Sequence, residues 1–347
     1  MVRFFQTRWP WLVISSVVLL SLALYASRRG TAQLPAPAQQ VANASLTTQD
    51  TAITTSATND TLIATDVLSP EVFGSRLFYA SGTGLFSIDL NTTRAKPTQV
   101  ATLPRTDDEV RWRPDGKRAL ALVSTNPVTW QSVNLETKTS SELTNTFVGP
   151  ALASQRDRII YTYEGSAGTN VSIADLDGAN WQMIMTPPNE IVRWWWPGDG
   201  TVAIGADERA DPPQYVRLFV GQKRIETITT SYGYDLRVKL SPDETRSLID
   251  TGTLDAPTMS MAAVSGGGLT TPTGTFSVHR SAWIGTNTVA TVGDDWQVTV
   301  LDFDKKSQTK LGPWPDAAKP LDELIAVTDK NYYAVTNGSL VRLPRGN

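Results

Sequence analysis

The chain has 347 residues, 40% of them hydrophobic, 19% charged and 8% aromatic, with a formal net charge of -3. That composition supports a buried core and excludes a disordered chain. With no cysteine and a single histidine, His279, it also excludes disulfide frameworks, thiol nucleophiles, iron–sulfur clusters, cysteine-ligated zinc and any site built on two imidazoles.

Residues 1–8 read as a short cytoplasmic tail. From Trp9 to Ala26 the run WPWLVISSVVLLSLALYA carries no charge; about 18 residues at about 1.5 Å each reach about 27 Å, enough to cross a bilayer core. Trp9, Trp11 and Tyr25 fall at its ends, where amphipathic rings prefer the headgroup level. The rival is a secretory signal peptide with Arg3 and Arg8 as its basic region. Leu24-Tyr25-Ala26 is no small-x-small cleavage site, and Arg28 and Arg29 come directly after it, so an uncleaved transmembrane signal anchor is expected. The excess of positive charge before the run places the N-terminus inside and the rest of the chain outside the cytoplasm. Residues 27–58, rich in Thr, Ala, Ser, Gln and Pro, read as a flexible stalk. Setting Arg3, Arg8, Arg28 and Arg29 apart from the 31 basic residues leaves 27 against 34 acidic ones. An acidic head is not expected to take nucleic acid as its partner.

Residues 59–347 repeat. Arg111-Trp112-Arg113-Pro114-Asp115-Gly116-Lys117-Arg118 is followed by ALALVS, Trp195-Trp196-Pro197-Gly198-Asp199-Gly200 by TVAIGA, and Leu240-Ser241-Pro242-Asp243-Glu244-Thr245-Arg246 by SLID. Each is a strand, a tight turn and a second strand: Pro presets φ early in the turn, and Asp with Gly tolerates the backbone angles of its later positions. Weaker copies begin at Gly74, Ser154, Gly285 and Thr328, so the turns recur roughly every 40 to 45 residues. A second register trails the first, in LFSIDLNTT, WQSVNLETK, VSIADLDGA, YVRLFVGQK, MSMAAVSGG, VTVLDFDKK and SLVRLPRGN. Most of these run on into a fourth short strand. Seven units of four strands, with no long helical period, predict an all-β, seven-bladed β-propeller. The last unit ends one strand short, so the segment from Asn59 to Ser69 is expected to supply its outer strand and close the ring. Trp112, Trp195 and Trp283 end the innermost strands, where they either fill the wedge between blades or offer a carbohydrate platform.

RWRPDGKRALAL resembles the repeat of the TolB-like propellers, a Trp-Ser-Pro-Asp-Gly-Lys turn leading into an apolar strand. Trp112, Pro114, Asp115, Gly116 and Lys117 match it, and Arg113 stands in place of the small residue. Ser241, Pro242 and Asp243 keep the same turn, and LDLNTTR, IADLDGAN and LDFDKKS resemble the aspartate-rich turn found further along each repeat. The resemblance implies the fold and, as for propellers of that kind, a protein-docking role in a bacterial envelope.

Searches for catalytic motifs fail. Glu164 stands where a nucleophile elbow around Ser166 needs glycine. Gly82-Thr83-Gly84 lacks the third glycine of a dinucleotide loop, and Arg111 stands where a phosphate loop ending at Gly116-Lys117 needs its first glycine. Asp175, Asp177, Gly178 and Asn180 mimic half a calcium loop but occupy an ordinary hairpin position. No cofactor or metal is expected. Two carboxylates would suffice for a glycosidase, and with 34 acidic residues that remains the alternative. Arg111, Arg193, Arg237, Lys239 and Arg280 fall late in predicted innermost strands, and His279 stands on the predicted inner strand of the sixth unit. They are the candidate ligand-binding residues at the mouth of the central channel, where guanidinium forks would take an anionic ligand or an acidic peptide; the plainer reading sends half of the basic ones into salt bridges between blades. The expected function is non-catalytic: a single-pass, membrane-anchored, extracytoplasmic (periplasmic or extracellular) propeller that binds another membrane or envelope protein. A carbohydrate-binding or glycoside-hydrolysing propeller is the alternative.

Overall fold

The structure is a computed structural model that describes residues 62–345, apart from residues 93, 104–108, 144–146, 166–167, 190, 232–235, 254–255 and 257. The expected anchor and stalk lie outside the described residues. Among the described residues no helix is long and apolar enough to cross a membrane.

The described residues form seven four-stranded antiparallel sheets. We number them as blades 1 to 7 in chain order of their innermost strands: Val67–Phe73, Val110–Trp112, Val148–Leu152, Arg193–Trp195, Val238–Leu240, Ser281–Trp283 and Glu323–Val327. Six blades are meanders of consecutive strands; the seventh borrows its outer strand, Leu62–Ala64, which pairs with Ser339–Pro344. The expected closing segment is therefore two strands rather than one. Asp66, at φ 51°, turns the chain after Ala64, and Val67 onward starts the innermost strand of blade 1.

Blades pack because each strand alternates two apolar faces, one toward each neighbour. The buried hydrophobic residues fall into seven clusters, each shared by one adjacent pair of blades. Trp194 is wholly buried between blades 3 and 4. Its indole N–H donates to Thr162 Oγ1 at 3.0 Å. Trp112 and Trp283 do similar work, their indole N–H groups donating to Ser69 O at 2.7 Å and Lys239 O at 2.9 Å on the preceding blade. Gly149 admits the same close approach: at φ 54°, any Cβ there would lie 2.0 Å from the carbonyl oxygen of Val192.

The turns between first and second strands share one design. The Asp115 and Asp199 carboxylates accept the backbone N–H two residues on, each at 2.9 Å, and Asp243 does so at 3.3 Å. Gly116 then takes φ 67°. In blade 5 that place belongs to Glu244, at φ 56°, a conformation that costs a side-chain-bearing residue about 1 kcal/mol. Its carboxylate accepts from Ser154 Oγ at 2.5 Å and from the Gly198 N–H, so it ties blade 5 to blades 3 and 4.

Two variants test these assignments. Ile63→Asp sets a charge where an aliphatic side chain packs on the cluster between blades 7 and 1. It should cost about 2 kcal/mol or more, read as a lower urea midpoint; a loss below about 0.5 kcal/mol would show that the closing strand contributes nothing. Glu244→Gly relieves the backbone but loses charge-assisted hydrogen bonds of about 1.5–3 kcal/mol, so a net loss of about 1 kcal/mol is expected; a gain in stability would contradict the bridging role.

Candidate functional site

The innermost strands are short and splay around the axis, and where they converge they enclose a cavity of about 620 Å³. It opens on the face that carries the proline turns, with Pro114 and Pro242 at its margin. Its wall is charged: Glu71 comes from blade 1, Glu109 and Arg111 from blade 2, Arg193 from blade 4, Arg237 and Lys239 from blade 5, and Glu323 from blade 7. Blade 3 contributes Ala151 and Leu152 and no charge.

Most of these charges are tied down. Lys239 Nζ donates to Glu323 Oε1 at 2.9 Å, Ser281 O at 2.9 Å and Leu324 O at 3.0 Å, which joins blades 5, 6 and 7. Arg237 reaches the same carboxylate at 3.8 Å. Arg111 pairs with Glu109 at 2.5 Å and lies over the Trp195 ring, 5.6 Å from its centroid, while its Nε is buried without an acceptor. Burial lowers the Arg111 pKa, Glu109 opposes that, and Arg193 pushes it down again by like-charge repulsion.

Glu71 differs. Its side chain faces the cavity and keeps some accessible surface there, yet protein surrounds it, and its carboxyl accepts no hydrogen bond from a described residue. Burial raises its pKa to about 7; Arg111, Lys239 and Arg237 pull it down, and Glu323 pushes it up.

The structure brings four of the six candidate residues, Arg111, Arg193, Arg237 and Lys239, into this cavity wall. His279 and Arg280 do not line it. Both precede the innermost strand of blade 6, which starts at Ser281 rather than including SVHR. The His279 carbonyl accepts from Leu324 N–H at 2.9 Å. Arg280 turns to the other end of the blade, where it lies over Trp296 at 5.2 Å and reaches Asp294 at 3.4 Å. Asp175, from the calcium-like stretch, is engaged by Arg158 at 3.3 Å and by Asn180 at 2.5 Å within a hairpin turn. Sequence reasoning missed Glu71, Glu109 and Glu323. Glu71 interrupts an apolar innermost strand, Glu323 opens one and Glu109 precedes one, which was their one available signal.

The cavity is framed by a rim of hydrogen bonds between blades. Arg113, the residue that departs from the repeat, donates to Asp115 at 2.8 Å and to Asp157 of the next blade at 2.5 Å, and Arg118 reaches Asp157 as well at 2.7 Å. Glu244 spans blades 3 to 5, and Asp304 of blade 6 is held by Arg246 at 3.2 Å and by Asn287.

No family model matches the chain, and no curated protein matches it. Among solved structures it is similar to TolB from Acinetobacter baumannii, at 16% identity and a TM-score of 0.47, over 69% of this chain and 63% of that one. It is also similar to an oligogalacturonate lyase in complex with manganese, at 13% identity and a TM-score of 0.57 over 83% and 91% of the two chains. A chain of the mitotic checkpoint complex aligns at 12% identity and a TM-score of 0.58 over 90% and 97%. The last two likenesses show a propeller fold and extend no further.

The raised Glu71 pKa has a consequence for stability. The folded chain binds this proton more tightly than the unfolded chain does, so stability is full below about pH 4.5, falls as pH rises toward about 7, and levels off above. Glu71→Gln removes the titration. Between pH 4 and pH 8 the variant should gain roughly 2–3 kcal/mol relative to the wild type, measured by urea unfolding at both pH values; parallel pH profiles would contradict the assignment.

Proposed function

We propose that this chain is a non-catalytic, membrane-anchored propeller that serves as a docking platform for another protein of an envelope complex. Residues 9–26 hold it in the membrane and the stalk of residues 27–58 presents the head outside the cytoplasm. The observation that carries this reading is the rim. Turns of successive blades are linked by charge-assisted hydrogen bonds from Arg113, Arg118, Glu244 and Arg246, and a surface held rigid before binding loses little conformational entropy when a partner docks. The likeness to a propeller solved within the mitotic checkpoint complex accords with a role in an assembly.

A carbohydrate-directed role has a narrower basis. The indole N–H groups of Trp112 and Trp283 are committed to neighbouring blades, and Arg111 lies over Trp195. A hydrolase needs two carboxyl groups across a cleft, but Glu109 and Glu323 are each paired with a cation, leaving Glu71 without one.

Photo-crosslinking in intact membranes tests the platform. A crosslinking amino acid at Asn91 or Lys330, exposed residues at the cavity mouth, should trap one and the same partner protein. The same group at Glu142 or Thr230, on outer strands, should not. Trapping no protein at the mouth, or equal trapping at the outer strands, would overturn the reading.

A further inference from the structure

We propose that the central cavity is a binding site for a small neutral polyhydroxylated molecule of the size of a monosaccharide, with one hydroxyl donating to the Glu71 carboxylate and the C–H face of the ring resting on Trp195 and Ile325. Such binding needs one free carboxyl, where a hydrolase needs two. It stands apart from the docking reading and survives if that reading fails.

The fold does not require a carboxyl at this place. The innermost strand of blade 1 slips its register between Leu68 and Glu71, a bulge in which Ser69 takes φ 46°. Blade 3 carries the same bulge between Val148 and Ala151, with Gly149 at φ 54° where blade 1 has Ser69 and Pro150 where it has Pro70. Ala151 then stands where blade 1 has Glu71, and both line the cavity. A bulge re-aims the side chains beside it, and in blade 3 alanine fills that place with no polar atom to satisfy. In blade 1 it holds a carboxyl that burial disfavours in its ionised form. A residue that lowers stability where the same fold accepts alanine is the mark of a site kept for function.

The remaining charges of the wall decide what Glu71 faces. Lys239 holds Glu323 and two backbone carbonyls, Arg237 reaches the same carboxylate, Arg111 holds Glu109, and Arg193 is engaged as well. Of the three glutamates, Glu71 alone accepts no hydrogen bond from a described residue. A wall of closed pairs calls for a neutral occupant, and a carboxyl without a partner calls for a donor. A hydroxyl meets both needs, because it donates to the carboxylate and accepts from the protonated acid. An ammonium in its place would lie near Arg111, Lys239 and Arg237, the cations that act on Glu71, and a second carboxylate would meet Glu71 itself. The cavity, about 620 Å³, falls within the roughly 300–1,000 Å³ of small-molecule sites, and Trp195 and Ile325 supply apolar wall for the ring carbons.

Isothermal titration of the full-length chain tests this with galactose and glucose, each set against its amino sugar and its uronate. At least one neutral sugar should bind saturably at millimolar concentration or below, and at least about tenfold more tightly than either of its charged counterparts. Glu71→Ala, the residue that blade 3 already uses, should weaken binding at least about tenfold, the loss of a hydrogen bond to a charged group, while urea unfolding at pH 8 shows the variant no less stable than the wild type. Affinity of the wild type should rise about fivefold from pH 5.5 to pH 8, as Glu71 ionises against Arg111, Lys239, Arg237 and Glu323 and accepts the stronger, charge-assisted bond. Glu71→Gln should bind at both pH values as the wild type does at pH 5.5, a readout that a merely structural role would not move. If neither neutral sugar saturates, if an amino sugar or a uronate binds more tightly than its neutral parent, or if Glu71→Ala binds unchanged, the proposal is overturned.

Discussion

Every blade depends on burying both of its faces, because a four-stranded antiparallel sheet with two apolar faces has no stable existence alone. The seven shared clusters meet that need pairwise, and the ring leaves no blade with an uncovered face only when the seventh packs against the first. Pairing of Leu62–Ala64 with Ser339–Pro344 therefore matters beyond its length. It adds the fourth strand to blade 7 and fastens the last strand of the chain to a segment that runs straight into blade 1.

The same geometry creates the cavity. Blades spread outward as wedges, so their innermost strands cannot fill the axis, and several are only three residues long. Side chains pointing inward there lose bulk water without gaining close apolar packing, and charged residues persist when they satisfy one another. Lys239 is the clearest case. Its ammonium replaces lost hydration with one carboxylate and two backbone carbonyls from the next two blades, so a residue read from the sequence as ligand-binding is equally a brace. Glu71 has no such set of partners, and its carboxyl meets burial by holding its proton to about neutral pH.

Much of the fold was legible because turns carry their own chemistry. Pro114-Asp115-Gly116 and Ser241-Pro242-Asp243 specify hairpins through side-chain to backbone bonds that are local in sequence, and a local signal repeated at a constant spacing is a fold. For the tryptophans at strand ends the sequence left two readings, wedge or carbohydrate platform, and Trp112, Trp195 and Trp283 all pack on clusters between blades while also lining the cavity. The site was less legible. Three-residue strands are too short for alternation to decide which side chains face the axis, and so Arg280 was grouped with Arg111 although it lies over Trp296. Glu71 sits in VLSPEVF, a stretch with no repeat signature, and its environment is assembled from blades 2, 5 and 7. Nothing adjacent to it in the chain announces that.

Departures from the repeat carry what is particular to this propeller. Where the turn motif has a small residue, Arg113 reaches across to Asp157; where blade 2 has glycine, Glu244 accepts strain to reach Ser154 and Gly198. Both changes add a bond between blades at the cavity face, and both replace a residue that could bond only within its own turn. Ser241 shows the unaltered state, donating to Asp243 at 2.6 Å and accepting from the Arg246 N–H at 3.0 Å in the same hairpin. Blades 2 to 5 are thus stitched by polar contacts above the cavity, while blades 5 to 7 are braced inside it by Lys239 and Glu323. An identical repeat would distribute such contacts evenly. Among the described residues, the contacts made by Arg113 and Glu244 lie on the face that carries the proline turns, the same face on which the cavity opens, so the departures from the repeat and the open end of the cavity share one side of the ring.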